Sequence, residues 1–184
     1  MVSKTIEDAL DYYKQHAPAD LYPVAEASLV LGQETDRGAV LVAASFIEGQ
    51  LGEVIKGFLI HHGAVKDLMS GSMGAPLQSF GSRISMAFSL GLITEKERDD
   101  CTIIRKIRNK FAHQVTPAFT EKSIIDLSAN LRLGLSELNV KDADAASQQF
   151  KMAAANVFLR LHERVKWVVS QRRQILVETA GHVG

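Results

Sequence analysis

The sequence predicts an all-α protein, a single-domain bundle of about seven helices with a long C-terminal helix. Apolar residues recur along most of the chain at spacings of three and four, which is the period of an amphipathic helix. No segment has the regular apolar–polar alternation of a strand, and there is no internal repeat. With 184 residues the chain is long enough for one well-filled core and short for two domains, so we expect residues 1–184 to form one unit.

The first half of the chain predicts three helices. Ser3 can cap the first helix, which stops at Pro18. A second apolar pattern covers 20–33, and a third, longer pattern covers 36–61. The third segment is too rich in polar side chains for a membrane span, so we expect a buried core helix. Those side chains are Glu48, Gln50, Glu53 and Lys56.

Three glycines interrupt the third helix at positions 49, 52 and 57. Each weakens a helix by about 1 kcal/mol relative to alanine. We interpret them as places where a neighbouring helix approaches closely.

The middle of the chain predicts a loop and two helices. The glycine- and serine-rich stretch 66–75 has the composition of a loop. Pro76 suits the first turn of a helix that runs to Leu90, and Gly91 suits its C-cap. Thr94 and Glu97 then form the T-x-x-E pattern of a capping box. The helix that they open must end before residue 117, which is a proline.

The C-terminal third predicts two further helices. The first covers about 120–133 and is followed by a turn over 134–142. The last covers 143–177, and its apolar residues alternate spacings of four and three in a coiled-coil-like seam.

Charge and cysteine usage restrict the class of protein. Lys plus Arg and Asp plus Glu both number 21, so no global positive field holds the chain on nucleic acid or an anionic membrane. A single cysteine, Cys101, excludes an internal disulfide, and the N-terminus lacks the pattern of a signal peptide. We therefore expect a cytoplasmic protein without a membrane segment.

The run Arg108-Asn109-Lys110-Phe111-Ala112-His113 is the strongest candidate for a functional site. It places a permanent cation near the side chain that titrates around neutrality, so it could bind phosphate and move a proton. Five residues of ideal helix turn about 500°, which leaves Arg108 and His113 roughly 140° apart around the axis. To meet, they need the helix to loosen after Phe111 or a second chain to complete the site.

Three further cations, Arg105, Lys106 and Lys110, accompany this run and are candidates for binding RNA or phosphate. The alternative is structural, because bases in the last part of a helix stabilise its dipole. Residues 76–113 also have the outline of a helix-turn-helix. We expect no DNA reading, because the second helix begins with four acids and two bases in 95–100, which would repel phosphates.

Other candidate sites are weaker. The pair His61-His62 has no acidic or cysteine partner at metal-ligand spacing. Cys101 follows two aspartates, which disfavour a thiolate, and we expect a buried inert thiol. The glycines of 71–74 lack the pattern of a phosphate-binding loop. We therefore predict no metal and no cofactor.

Several short segments of the chain form a recognisable set: DRGAVLVAA at 36–44, APL at 75–77 with Phe80, Arg83 and Ile84, LGLI at 90–93, and IRKIRN with FAH between 104 and 113. Through these segments the chain resembles the mannitol operon repressor (MtlR, also written MltR) family over about residues 36–133. It implies an all-helical protein without a DNA-binding domain of its own, which regulates transcription through a partner protein.

The R-x4-H segment also resembles the HEPN superfamily, whose active members are metal-independent ribonucleases with a site formed across a dimer. That resemblance implies that Arg108 holds the scissile phosphate, that His113 is the general acid/base and that Asn109 orients the pair. Our leading hypothesis is a non-enzymatic, MtlR-like repressor of a sugar-operon type that forms a homo-oligomer, a dimer through its long helices. The alternative is a HEPN-type endoribonuclease.

Overall fold

A computed structural model describes residues 31–69 and 74–177, together with Tyr22 and Leu29. The first predicted helix and most of the second lie outside these residues. The described residues form an all-α bundle, as predicted, and no strand occurs among them. The helices are α1 (Asp36–Phe58), α2 (Gly63–Met69), α3 (Phe80–Ser89), α4 (Glu95–His113), α5 (Lys122–Ala129) and α6 (Ala143–Ser170).

Helix α1 is the centre of the bundle. It packs most extensively on α6, and also on α4 and α3. By length and composition it could cross a membrane, with a mean hydropathy of 1.4 over its most apolar window. Half of that window is buried inside the fold, and its apolar side belongs to the one hydrophobic core that the described helices share. The central helix of a core passes the same test, so the hydropathy of α1 is weak evidence for a membrane span.

The glycines of α1 have different surroundings. A Cβ atom at Gly57 would lie 2.8 Å from Val168 Cγ2 on α6, and one at Gly52 would lie 3.3 Å from the guanidinium of Arg83. Close approach explains these two glycines as predicted. The prediction of a close approach is wrong for Gly49, where a Cβ atom would have no neighbouring atom within 4 Å.

Two predicted boundaries between α1 and α3 are wrong. The predicted loop at 66–75 is helical in its first part, because α2 extends to Met69. Helix α3 begins at Phe80, after Pro76, since the Ser79 hydroxyl accepts the Ser82 N–H and supplies the N-cap. The prediction for Gly91 is confirmed by its φ of +70°.

Helices α5 and α6 are shorter than predicted. The Asn130 side chain donates to the Asp126 carbonyl and stops α5. Helix α6 ends at Ser170 because the following residues bond to the end of α1 instead. Arg172 Nε donates to the Gly57 carbonyl (3.1 Å), and the Arg173 N–H donates to the Phe58 carbonyl (2.8 Å).

Candidate functional site

Helix α4 presents the predicted site residues on a rigid scaffold. Its capping box is formed as predicted, with Thr94 and Glu97 each accepting a backbone N–H of the other. In its second half, the buried face consists of apolar residues three and four positions apart: Ile104, Ile107 and Phe111. Arg105, Arg108 and Asn109 have the same spacing, and the structure brings them together on a half-buried face.

These three side chains line a cleft of about 280 Å³ between α4 and the start of α3. We call it the arginine cleft. Its remaining walls are Glu48 of α1 with Ser79, Phe80 and Gly81. Within the cleft, Arg108 Nη1 donates to Asn109 Oδ1 at 3.1 Å. A Cβ at Gly81 would lie 3.7 Å from Arg105 Nε, so this guanidinium packs against the first turn of α3.

Within the described part of the chain, neither Arg105 nor Arg108 forms an ion pair. Glu48 also lines the cleft and pairs with neither of them. The backbone carbonyl of Glu48 accepts from Arg83 Nη1 (2.9 Å), which fixes α3 against α1.

His113 lies outside the arginine cleft. It is the last residue of α4 and is exposed. The helix does not loosen after Phe111, because the Gln114 N–H still donates to the Lys110 carbonyl at 3.0 Å. Arg108 and His113 therefore diverge as helical geometry requires, and within one chain they form no common site.

Lys106 and Lys110 do not contribute to the cleft either. Lys106 is exposed and Lys110 is half-buried in the last turn, where a cation stabilises the helix end. Arg105 and Arg108 therefore line the arginine cleft, and Lys106 and Lys110 lie outside it.

The acidic first half of α4 has a structural role. Glu97 and Asp100 are fully buried. The Glu97 carboxylate pairs with Arg164 of α6, which also donates to the Leu92 carbonyl. Asp100 accepts the backbone N–H groups of Arg132 and Leu133 at 3.0 and 2.9 Å. These carboxylates connect α4 to its neighbours and are not available to a groove of DNA.

This buried polar network was not predicted from the sequence. Burial raises the pKa of Asp100, and the two backbone hydrogen bonds and Arg132 oppose the shift. Gln149, also buried, donates to the Leu131 carbonyl and accepts the Leu135 N–H, which holds the chain after α5. Only Glu97 carried a signal, as the third residue of a capping box.

The secondary candidates have ordinary surroundings. Cys101 is buried as predicted, and burial raises the pKa of its thiol far above the usual range, with Asp100 and Glu97 adding to the shift. His61 and His62 are exposed, and His62 Nδ1 accepts the Ala64 N–H at the start of α2. No group of three or more metal-binding side chains occurs among the described residues.

A second, wider surface lies on α6. An open groove there is lined by Asn156, Leu159, Arg160, Glu163, Arg164 and Trp167. We call it the α6 groove. The Trp167 side chain is 51% exposed.

Comparison with known proteins identifies the fold. No protein-family model matches the chain, and no curated protein has a significantly similar sequence. A chain in the X-ray structure of the MtlR–HPr complex from Escherichia coli has a similar fold, with a TM-score of 0.56 and 20% sequence identity. The match covers 83% of this chain and 99% of that chain. The MtlR-like fold expected from the sequence is confirmed, and the likeness to the HEPN superfamily stays a prediction.

Proposed function

We propose that this protein is an MtlR-like regulator that acts by binding a folded partner protein. The likeness of its fold to a chain from the MtlR–HPr complex supports this proposal, and we take HPr of the same cell as the partner to test. Its role is that of a transcriptional repressor of a sugar-operon type without a DNA-binding domain of its own.

The observation that carries the proposal is the exposed Trp167 in the α6 groove. Tryptophan and arginine dominate the energetic centres of protein interfaces, and here Trp167 lies in one groove with Arg160 and Glu163. An aromatic ring left half in water on a regular helix gains free energy when a partner covers it. The alternating charges beside it can fix the orientation of that partner.

Isothermal titration calorimetry with purified HPr tests this proposal. We expect binding by the wild type and a loss of about 2 kcal/mol, roughly 30-fold in Kd, for Trp167→Ala. Val115→Ala is the matched control, because Val115 is 91% exposed but lies in the segment after α4. Absence of HPr binding contradicts HPr as the partner. Equal binding by Trp167→Ala and wild type contradicts the α6 groove as its site.

Self-association is a separate proposal, which analytical ultracentrifugation tests. We expect a dimer of wild-type protein. If Trp167→Ala is a monomer while Val115→Ala stays dimeric, the α6 groove is the surface between two copies, and the proposed partner site is wrong.

The ribonuclease alternative has little support from the geometry, because Arg108 and His113 lie on different sides of an unbroken helix. Incubating wild type and His113→Ala with structured and single-stranded RNA tests it. We expect equal, negligible cleavage. Cleavage that is lost in the variant would establish the enzyme, with the site completed by a second copy. In a gel-shift assay we expect no operator binding.

A further inference from the structure

The arginine cleft has an electrostatic arrangement that helix stability does not explain. Two other cations of the bundle lie where a helix end or an acid stabilises them. Lys56 lies in the last turn of α1 and pairs with Glu53 at 2.9 Å, and Lys110 lies in the last turn of α4. Arg105 and Arg108 instead converge on the N-terminal end of α3, where the first-turn N–H groups carry partial positive charge.

Glu48 is the one acidic residue among those that line the cleft. It forms no ion pair there with either arginine. Two like charges in a half-buried cleft repel each other more strongly than in open water, since the local dielectric constant is lower. An anion between them converts this repulsion into attraction.

The cleft also has hydrogen-bond donors without acceptors. Arg105 makes no hydrogen bond among the described residues, and Arg108 uses only Nη1, toward Asn109. The Ser82 and Arg83 N–H groups are bonded to Ser79. The preceding N–H groups of the first turn, which belong to two residues that line the cleft, have no acceptor in the described part of the chain. Phosphate oxygens accept strong hydrogen bonds from planar guanidinium groups and from the N–H groups at helix N-termini.

We propose that the arginine cleft binds the phosphate group of a small phosphate monoester, with Arg105 and Arg108 as its ligands and Asn109 as the residue that orients Arg108. The volume of about 280 Å³ lies below the roughly 300–1,000 Å³ of sites for larger ligands, which favours a small molecule. The zero net charge of the chain and the presence of Glu48 disfavour a polyanion. This site pairs Arg108 with Arg105 instead of His113 and is complete in one chain.

Calorimetric titration of the full chain with inorganic phosphate and with glucose 6-phosphate tests the proposal, with glucose as the uncharged control. We expect saturable one-to-one binding of both phosphates and none of glucose. Arg105→Gln and Arg108→Gln should each weaken binding at least tenfold, because each removes charge-assisted hydrogen bonds. Lys106→Gln and Lys110→Gln are matched controls on the same helix and should change affinity by less than about twofold. Circular dichroism verifies that each variant is folded.

Glu48→Gln gives a second, opposite readout. It removes the negative charge of the one acidic lining residue, so phosphate should bind several-fold more tightly. The proposal is overturned if phosphate does not saturate, if the lysine variants weaken binding as much as the arginine variants, or if Glu48→Gln weakens it. Binding of an RNA oligonucleotide in place of glucose 6-phosphate, with the same dependence on arginine, also overturns it in favour of a polyanion. The test contains no partner protein, so its outcome is independent of the proposed regulatory function.

Discussion

Arg164 of α6 donates from Nη2 to both carboxylate oxygens of Glu97 in α4, at 3.1 and 3.4 Å, across 67 positions of sequence. The same carboxylate accepts the Thr94 N–H (2.7 Å) and completes the capping box of α4. One buried acid therefore starts a helix and connects it to the longest helix in the bundle.

Replacing this acid should destabilise the fold strongly. Glu97→Ala removes one partner of a buried pair, and we expect a loss of about 3 kcal/mol in the free energy of unfolding. This is the lower end for such pairs, because the Arg164 side chain remains 25% exposed. Urea denaturation measures the loss. Glu95→Ala is the exposed control two residues earlier and should change stability by less than about 0.5 kcal/mol.

The double variant Glu97→Ala/Arg164→Met separates the pair from the cap. Methionine removes the unpaired cation, so part of the lost stability should return. If the double variant is no more stable than Glu97→Ala, the loss comes from the capping box and the unpaired cation is not its cause.

Two glycines of α1 should respond to alanine in opposite directions. Gly57→Ala places a methyl group 2.8 Å from the γ-methyl of buried Val168, and overpacking of this kind costs about 1–3 kcal/mol. Gly49→Ala enters open space and should stabilise the helix by about 0.5–1 kcal/mol. Thermal unfolding of the two variants compares them. Equal shifts of Tm contradict the close contact between α1 and α6.

The stability of the protein should depend on pH through Asp100. Burial raises its folded-state pKa above the ordinary value of 3.8, so the folded protein holds this proton more tightly than the unfolded chain. The stabilisation that Asp100 contributes is fully present below pH 3.8. It is lost as the pH rises through the raised pKa of Asp100 in the folded protein. The free energy of unfolding of the wild type should therefore fall, relative to Asp100→Asn, as pH rises in this range. Denaturation at several pH values measures the difference, and parallel curves contradict it.

Cys101 should be unreactive in the folded protein. Its side chain is fully buried, and burial beside Asp100 and Glu97 raises the pKa of the thiol, which suppresses the thiolate. A thiol-specific reagent should label it slowly in buffer and rapidly in denaturant. Fast labelling of the native protein would mean that α4 opens locally.

Local signals predicted the helices well where capping residues were present. The Thr94–Glu97 capping box defined the start of α4, and Gly91 marked the end of α3. The end of α6 could not be predicted, because it depends on bonds to a distant element. Arg172, for example, bonds to the carbonyl of Gly57, which is 115 positions earlier.

The three residues of α4 that line the arginine cleft were candidates in the sequence, but their grouping in one cleft was not predicted. The spacing of Arg105, Arg108 and Asn109 places them on one side of a helix, and the angle between Arg108 and His113 followed from the helical repeat. The other wall of the cleft comes from α3 and α1, and no local pattern relates Gly81 to Arg105. The burial of Asp100 could not be predicted from the sequence either, since an acid next to another acid is typical of an exposed helix start.

The dependence of α1 on α6 has a consequence for synthesis of the protein. The hydroxyl of Ser147 on α6 bonds to Asp36 at the start of α1 from 111 positions later in the chain. At roughly 5–20 residues per second, the ribosome needs about 6–20 s to make the partner that covers this apolar helix. During that interval α1 has the length and hydropathy of a membrane segment with its main partner missing. We therefore expect the nascent chain to be a substrate for chaperones that hold apolar helices until translation supplies α6.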